Sequence, residues 1–292
     1  MKILVTGSEG VIGKELVGLL PDHQLMCLDK RETAKYTLDL SQDYFAKLQE
    51  IKMFKPEAIV HLAASFERTE ETPEFYERNR NDNVLASLIL NRELVGLDSV
   101  KCFVFASSYL VYNPRKYIGV ENASPILEHD EVSPRNLCGV AKYYNERELQ
   151  FIQSHIKPDM RLCLARIYRV YGKDSMDFVS NCCRWALSGK TVQVWNAKNR
   201  FDYIHAYDVA TALKTMVFST ASGIYNVSTG HGSSIQKVLD LTGVSYEPVD
   251  KDMPSENSQG SFDKLARDTG WGPSINLQQG IANLKEYYKK RC

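Results

Sequence analysis

Two residues one helical turn apart, Cys138 and Lys142, carry groups able to move a proton, and a glycine turn near the start of the 292-residue chain is shaped to hold a phosphate. The turn is Gly7-Ser8-Glu9-Gly10-Val11-Ile12-Gly13, directly after the apolar run 2–6 and opening a helical pattern. In that order Gly7 makes a tight turn, Gly10 leaves room for a pyrophosphate at the helix N-terminus, and Gly13 lets helix and strand approach. Asp29 ends the next apolar run, where a carboxylate would accept hydrogen bonds from both adenosine ribose hydroxyls and repel a 2′-phosphate. That favours NAD and makes NADP the lesser choice, although either Lys30 or Arg31 would meet such a phosphate. Asp39 and Leu40 stand where the chain would reach the adenine edge; a surface turn is the plainer role for Asp39.

Ser107-Ser108 close an apolar run at the carboxyl edge of the expected sheet, outside which ligands bind in this architecture. Cys138 and Lys142, at i and i+4, share a helix face. If that face lines the cofactor, a thiol, an ammonium and an oxidised nicotinamide meet, and two positive charges would lower the thiol's pKa from about 8.5 toward neutrality. A thiolate there would take a proton from a hydroxyl while hydride leaves its carbon. Tyr109 is a second candidate base and Tyr168 a third; packing aromatics is the plain role of both, as small apolar filler is of Cys138.

The elements that must position these groups alternate. Strands are expected over 2–6, 24–28, 58–61, 101–106 and 160–165, and helices over 11–20, about 44–51, 73–95 and 136–155, with a polar loop over 113–134. That rhythm calls for α/β architecture, a Rossmann-type parallel sheet covered by helices on both faces. Beyond Tyr171-Gly172 the elements shorten. Residues 1–171, with a segment of about 203–228 returning to the sheet, are expected as the dinucleotide-binding domain, and 172–202 with 229–292 as a smaller mixed lobe for substrate.

A hydrophobic content of 43% is enough to bury a full core. Lys plus Arg and Asp plus Glu both number 36, so no global field draws nucleic acid or an anionic membrane. No apolar run nears the roughly 18 residues of a membrane span, and the chain enters a strand from Met1 without room for a leader. A soluble, cytoplasmic protein is the expectation. Seven cysteines lack paired spacing, which predicts reduced thiols, with Cys182-Cys183 as core filling. His61 and His205 have no partners at metal-ligand spacing, so no metal is expected. Asp208 reads as a first-turn helix carboxylate, Trp195 and Phe201 as covers or base-stacking aromatics, and Lys173, Lys190 and Lys198 as unranked phosphate contacts.

With the glycine turn, His61-Leu62-Ala63-Ala64, Ser107-Ser108, Lys142 and Arg166-Ile167-Tyr168-Arg169-Val170-Tyr171-Gly172 in order, the chain resembles the extended short-chain dehydrogenases, specifically the nucleotide-sugar epimerase and dehydratase family. Asp202 to Ala210, Tyr225-Asn226-Val227-Ser228, Asp263-Lys264 and Gly270-Trp271-Gly272-Pro273 carry the resemblance over essentially the whole length. It implies that the turn holds the cofactor through Gly7, Glu9, Gly10, Val11, Ile12 and Gly13. Leu62, Ala63, Ala64 and Ala106 would line it, and Asn83 would sit behind the site. Ser108 would hydrogen-bond the reacting oxygen, Lys142 would hold the nicotinamide ribose, and Arg169 and Arg200 would face the substrate's diphosphate or sugar. The family implies a homodimer through the two long helices.

Three departures qualify the resemblance. Cys138 stands where the family's base is a Tyr four residues before the Lys. Tyr109-Leu110 replaces the acidic pair of 4,6-dehydratases. Phe201 occupies the place of an Arg, with Arg200 one earlier. The expected activity is NAD-dependent epimerase, dehydratase or 4-keto reductase action on a nucleotide-linked sugar through C4. Cys138 keeps open a catalytically drifted dinucleotide-binding sensor or scaffold.

Overall fold

The computed structural model describes residues 1–42, 46–66, 71–249 and 254–291. Cys292 and the first residues of the helix expected from 44 lie outside them. The strands are β1 (Lys2–Thr6), β2 (Gln24–Asp29), β3 (Tyr36–Thr37), β4 (Ala58–His61), β5 (Cys102–Ser108), β6 (Arg161–Ile167), β7 (Arg169–Tyr171), β8 (Val192–Trp195), β9 (Arg200–His205), β10 (Gly223–Val227), β11 (Gly232–Ser234), β12 (Tyr246–Val249) and β13 (Asn257–Ser258). The helices are α1 (Val11–Gly18), α2 (Ala46–Phe54), α3 (Pro73–Asn79), α4 (Ala86–Val95), α5 (Leu137–His155), α6 (Phe178–Leu187), α7 (Ala206–Phe218), α8 (Ile235–Thr242), α9 (Asp263–Thr269) and α10 (Leu277–Lys289).

Seven strands form one sheet in the order β10-β6-β5-β4-β1-β2-β3, a parallel Rossmann-type sheet flanked by helices, as the alternation predicts. The order reverses between β1 and β4, the switch point where such sheets bind ligands. Register places the site: Thr6 pairs with Leu28 on one side and His61 on the other, and His61 with Phe105. The residues following these, Gly7, Asp29, Leu62 and Ala106, therefore lie along one edge of the sheet, Asp29 as the last residue of β2 and Ala106 still within β5. Leu4, Ile59, Phe103 and Leu164 are buried within this sheet, each side chain contributing roughly 1.5–3 kcal/mol.

The expected helix over 73–95 is continuous but not uniform. Between α3 and α4, residues Arg80–Leu85 form a π-helical segment, a wide turn that frees a backbone carbonyl for other donors. Thr72 caps α3 by accepting from Phe75 N, with Pro73 in the first turn.

Two compact units result: 1–113, 131–166 and 210–225 in the first; 114–130, 167–209 and 226–292 in the second. Their boundaries differ from those expected, for reasons visible in the pairing. Strand β7 pairs with β9 rather than the large sheet, and β9 with β11 and β13, so 167–171 and 203–205 cluster in the second unit. Bridges from Ile118 to Glu256 and Ile126 to Gly260 carry 114–130 with them. Of the segment expected to return to the large sheet, β10 does so.

In the second unit α6, α8 and α10 share a core that includes Val179, Cys182, Cys183, Val238, Ile281 and Leu284. Asp208, fully buried, accepts from Ser274 N and Oγ and Ile275 N, so it ties α7 to that loop rather than merely capping a helix. Helix α10 runs on to Lys289, and Lys285 donates to Thr242 O at 2.9 Å. Among the described residues no helix is long and apolar enough to cross a membrane, and no group of three or more His, Cys, Asp or Glu could hold a metal.

Candidate active site

The glycine turn is built as a cradle. Gly7 has φ +71°, and a Cβ there would lie 2.7 Å from Ala63 N; a Cβ on Gly13 would lie 2.2 Å from Gly7 O. Only glycine fits either place. Gly10 caps α1 in extended conformation with no side-chain cap bond, which leaves the first helical N–H groups aimed outward for an anion. Ser8 Oγ is buried with no hydrogen-bond partner. Uncovered donors, an orphaned hydroxyl and space that a Cβ would fill suit the pyrophosphate of a dinucleotide.

Asp29 is nearly buried, and its carboxylate is aimed by Glu9 N on Oδ2 and Arg31 N on Oδ1, each at 3.0 Å. Each oxygen retains lone-pair capacity for a ribose hydroxyl. The two following cations are engaged within the protein: Lys30 Nζ with Asp82 at 2.6 Å, and the Arg31 guanidinium with the Glu9 carbonyl. A 2′-phosphate would have to detach them. Asp39 accepts from Ser41 N and Oγ, the turn role expected of a surface Asp.

Asp39 also lines, with Gly7, Gly10, Asp29, Leu40, Ala63 and Ala64, a cavity of about 130 Å³. Lys30, Arg31 and Leu62 line it too, as do Thr6, Leu28, Leu38, Asp82 and Ala86, which the sequence did not single out. Most of these adjoin predicted residues; Asp82, from a distant helix, carries no local signal. Glu9, Val11, Ile12, Gly13, Asn83, Ala106 and Lys142 fall outside this lining. The Glu9 carboxylate meets Lys14 at 3.7 Å.

The second cluster lies at the end of β5. Ser108, half-buried, accepts from Leu110 N at 3.2 Å and so starts the tight turn 109–111; its own proton is not used there. Tyr109 is buried in that turn. Helix α5 begins at Leu137, with Asn136 Oδ1 accepting from Gly139 N at 2.8 Å. A Cβ on Gly139 would lie 2.5 Å from Leu110 O. The missing side chain lets the helix start against the 109–111 turn, bringing Cys138 and Lys142 to the end of β5.

Cys138, Lys142 and Glu146 form one buried column along α5. Glu146 accepts from Ser107 Oγ at 2.5 Å and from Arg166 Nε and Nη2 at 3.0 and 2.7 Å. The Arg166 guanidinium also lies 4.7 Å from the Tyr112 ring centroid. Lys142 Nζ stands 4.7 Å from the Phe105 ring centroid; burial lowers its pKa, while Cys138 and Glu146 oppose that. Within the protein alone the thiol of Cys138 is shifted upward. Burial pushes it up from its ordinary value, Glu71 adds to this, and Lys142 only partly compensates. One ammonium does not repay the desolvation of a thiolate that is 5% exposed.

His61 is satisfied rather than ligating: Thr6 Oγ1 lies 2.6 Å from Nδ1 and Ser87 Oγ 2.9 Å from Nε2. His205 Nδ1 accepts from Tyr207 N at the start of α7. In the second unit, Arg169 stacks 3.6 Å from the Phe201 ring centroid and faces Glu256 at 3.6 Å; Arg200 Nη2 donates to Gly232 O at 2.6 Å. Phe201 is buried, while Trp195 is exposed. Lys173 stands over the Tyr287 ring and Lys190 over that of Trp185.

Comparison with known proteins gives a consistent set. The model of the NAD dependent epimerase/dehydratase family matches residues 3–228. A putative UDP-glucose 4-epimerase of Methanocaldococcus jannaschii is 24% identical over 98% of both chains. The GDP-6-deoxy-D-mannose reductase of Pseudomonas aeruginosa is 26% identical over 99% of this chain and 98% of its own. The crystal structure of Thermus thermophilus UDP-glucose 4-epimerase in complex with NAD covers both chains fully, with TM-score 0.86 and 24% identity.

Proposed function

The chain belongs to the NAD dependent epimerase/dehydratase family, and from that premise we propose that it is an NAD-dependent epimerase, dehydratase or 4-keto reductase acting at C4 of a nucleotide-linked sugar. One observation carries the reading: a glycine cradle and an aimed Asp29 share a sheet edge with Ser108, and Gly139 seats the helix of Lys142 against the 109–111 turn that follows it. Relatives named as epimerases and a reductase support it and do not favour the sensor or scaffold alternative. Tyr109-Leu110 makes a 4,6-dehydratase the weakest of the three activities.

Bound NAD supplies hydride transfer at the sugar carbon, and the chain supplies position and charge. Asp29 takes the adenosine ribose hydroxyls, and the Gly7–Gly10 backbone lets the pyrophosphate approach α1. Ser108 donates its unused proton to the reacting sugar oxygen. Lys142 holds the nicotinamide ribose, and its buried positive charge stabilises negative charge developing on that oxygen. Cys138, at the place of the family's Tyr, enters as a neutral thiol, which leaves Tyr109 as the second group proposed to handle the substrate proton. Arg169 and Arg200 are proposed contacts of the diphosphate or sugar.

A homodimer in a reducing, cytoplasmic setting completes the proposal. Val140, Tyr144 and Phe151 expose an apolar stripe along α5, and the six described cysteines are free thiols. Incubation with UDP- and GDP-linked hexoses and their 4-keto forms, following cofactor absorbance and product mass together, tests the activity. Unchanged mass with a new sugar marks an epimerase, loss of one water a dehydratase, and gain of two hydrogens a reductase. No product and no cofactor response across that panel overturns the reading.

A further inference from the structure

A chain of buried hydrogen bonds runs from the cofactor cavity to the π-helical segment, and both of its ends are backbone groups of fixed polarity. Ala63 N donates to Thr6 Oγ1 at 3.2 Å; Thr6 Oγ1 lies 2.6 Å from His61 Nδ1; His61 Nε2 lies 2.9 Å from Ser87 Oγ; and Ser87 Oγ donates to Asn83 O at 3.1 Å. An amide at one end can only donate and a carbonyl at the other can only accept. Ser87 has one proton and gives it to Asn83 O, so Ser87 accepts from His61 Nε2, and a neutral ring then leaves Nδ1 to accept from Thr6 Oγ1. The opposite tautomer would need Ser87 to donate twice.

The same residue grips the loop a second time. Asn83 Nδ2 donates to Ser65 O at 2.7 Å, and Asn83 Oδ1 accepts from Ser65 N at 2.7 Å. Asn83 O also accepts from Asn145 Nδ2 of α5 at 2.8 Å, three residues past Lys142. The wide π turn lets that one carbonyl take two side-chain donors. Segment 63–65, whose Ala63 and Ala64 line the cavity, is thus tied to Asn83 at both ends, and Asn83 to the helix of Cys138 and Lys142.

We propose that His61, acting with Thr6 and Ser87, is a positioning residue: a one-way hydrogen-bond chain that sets the Ala63–Ala64 wall of the NAD cavity in register with the helix bearing Lys142. The inference rests on the NAD-binding reading above. Burial and the nearby Lys142 charge hold the imidazole pKa down at about 3, which keeps the ring neutral, as the chain requires.

The test labels histidine with ¹⁵N and reads the ring tautomer from two-bond proton–nitrogen correlations, alongside NAD titration by fluorescence. The unsubstituted protein is expected to show His61 as neutral Nε2–H from about pH 6 to 8. Ser87→Ala removes acceptor and donor together: the single tautomer is lost and NAD binds about three- to tenfold more weakly, the worth of one neutral hydrogen bond, with the circular dichroism spectrum unchanged. Ser87→Thr restores both readouts. An Nδ1–H or protonated ring in the unsubstituted protein overturns the proposal even where Ser87→Ala does not fold, and so does Ser87→Ala with unaltered affinity. The expected tautomer in a protein without affinity for NAD leaves the hydrogen-bond chain standing but overturns the NAD-binding reading, and with it the positioning role.

Discussion

At Cys138 two electrostatic effects of opposite sign act on one thiol, and burial outweighs Lys142 one turn away. The protein by itself therefore favours the proton on sulfur, and a thiolate base would need the further charge of an oxidised nicotinamide. Cys138→Ser is expected to keep turnover within about threefold, whereas loss of a general base would cost roughly 10²- to 10⁴-fold. Alkylation of Cys138 followed by mass spectrometry against pH should show its inflection above the ordinary thiol value. An inflection near neutrality, or a hundredfold fall in the Ser variant, would return the base to the thiol. Asp29 shows the opposite degree of legibility: its place at the end of β2 was readable from spacing. The engagement of Lys30 by Asp82, which bears on NAD against NADP, joins residues 52 positions apart and had no local trace.

At the scale of elements, glycines decide how closely helices approach what they serve. Gly139→Ala would push α5 off the carbonyl of Leu110, only 2.5 Å from the added carbon. The expected cost is about 1–3 kcal/mol in denaturant unfolding, with a fall in turnover because Cys138 and Lys142 move with the helix. Gly18→Ala is the matched control: nothing lies within 4 Å of its added carbon at the end of α1. That variant should be neutral or stabilised by about 0.5–1 kcal/mol. Equal losses in both would mean that close approach is not what Gly139 provides. Apolar periodicity predicted one helix over 73–95, and it could not reveal the π segment. A single wide turn leaves the hydrophobic pattern nearly intact and is stabilised by side chains from elsewhere, including Asn145 and Ser65.

For the molecule as a whole, the exposed stripe of Val140, Tyr144 and Phe151 on α5 leads to an expected dimer in sedimentation at micromolar concentration. Tyr144→Asp with Phe151→Asp should sediment as a monomer; a monomeric unsubstituted protein rules the pairing out. The sequence by itself determined the parallel sheet, the glycine turn, the carboxylate ending β2 and the Asn136 start of α5, because strand, turn and cap signals reside within a few neighbouring residues. Only the tertiary structure decided that 114–130 clusters with the second unit, that Lys30 and Arg31 are engaged, that Asn83 clamps the 63–65 loop, and that burial pushes the Cys138 thiol up. Each depends on which distant groups meet and how much water they exclude, and desolvation is a property of the packed chain rather than of any stretch of it.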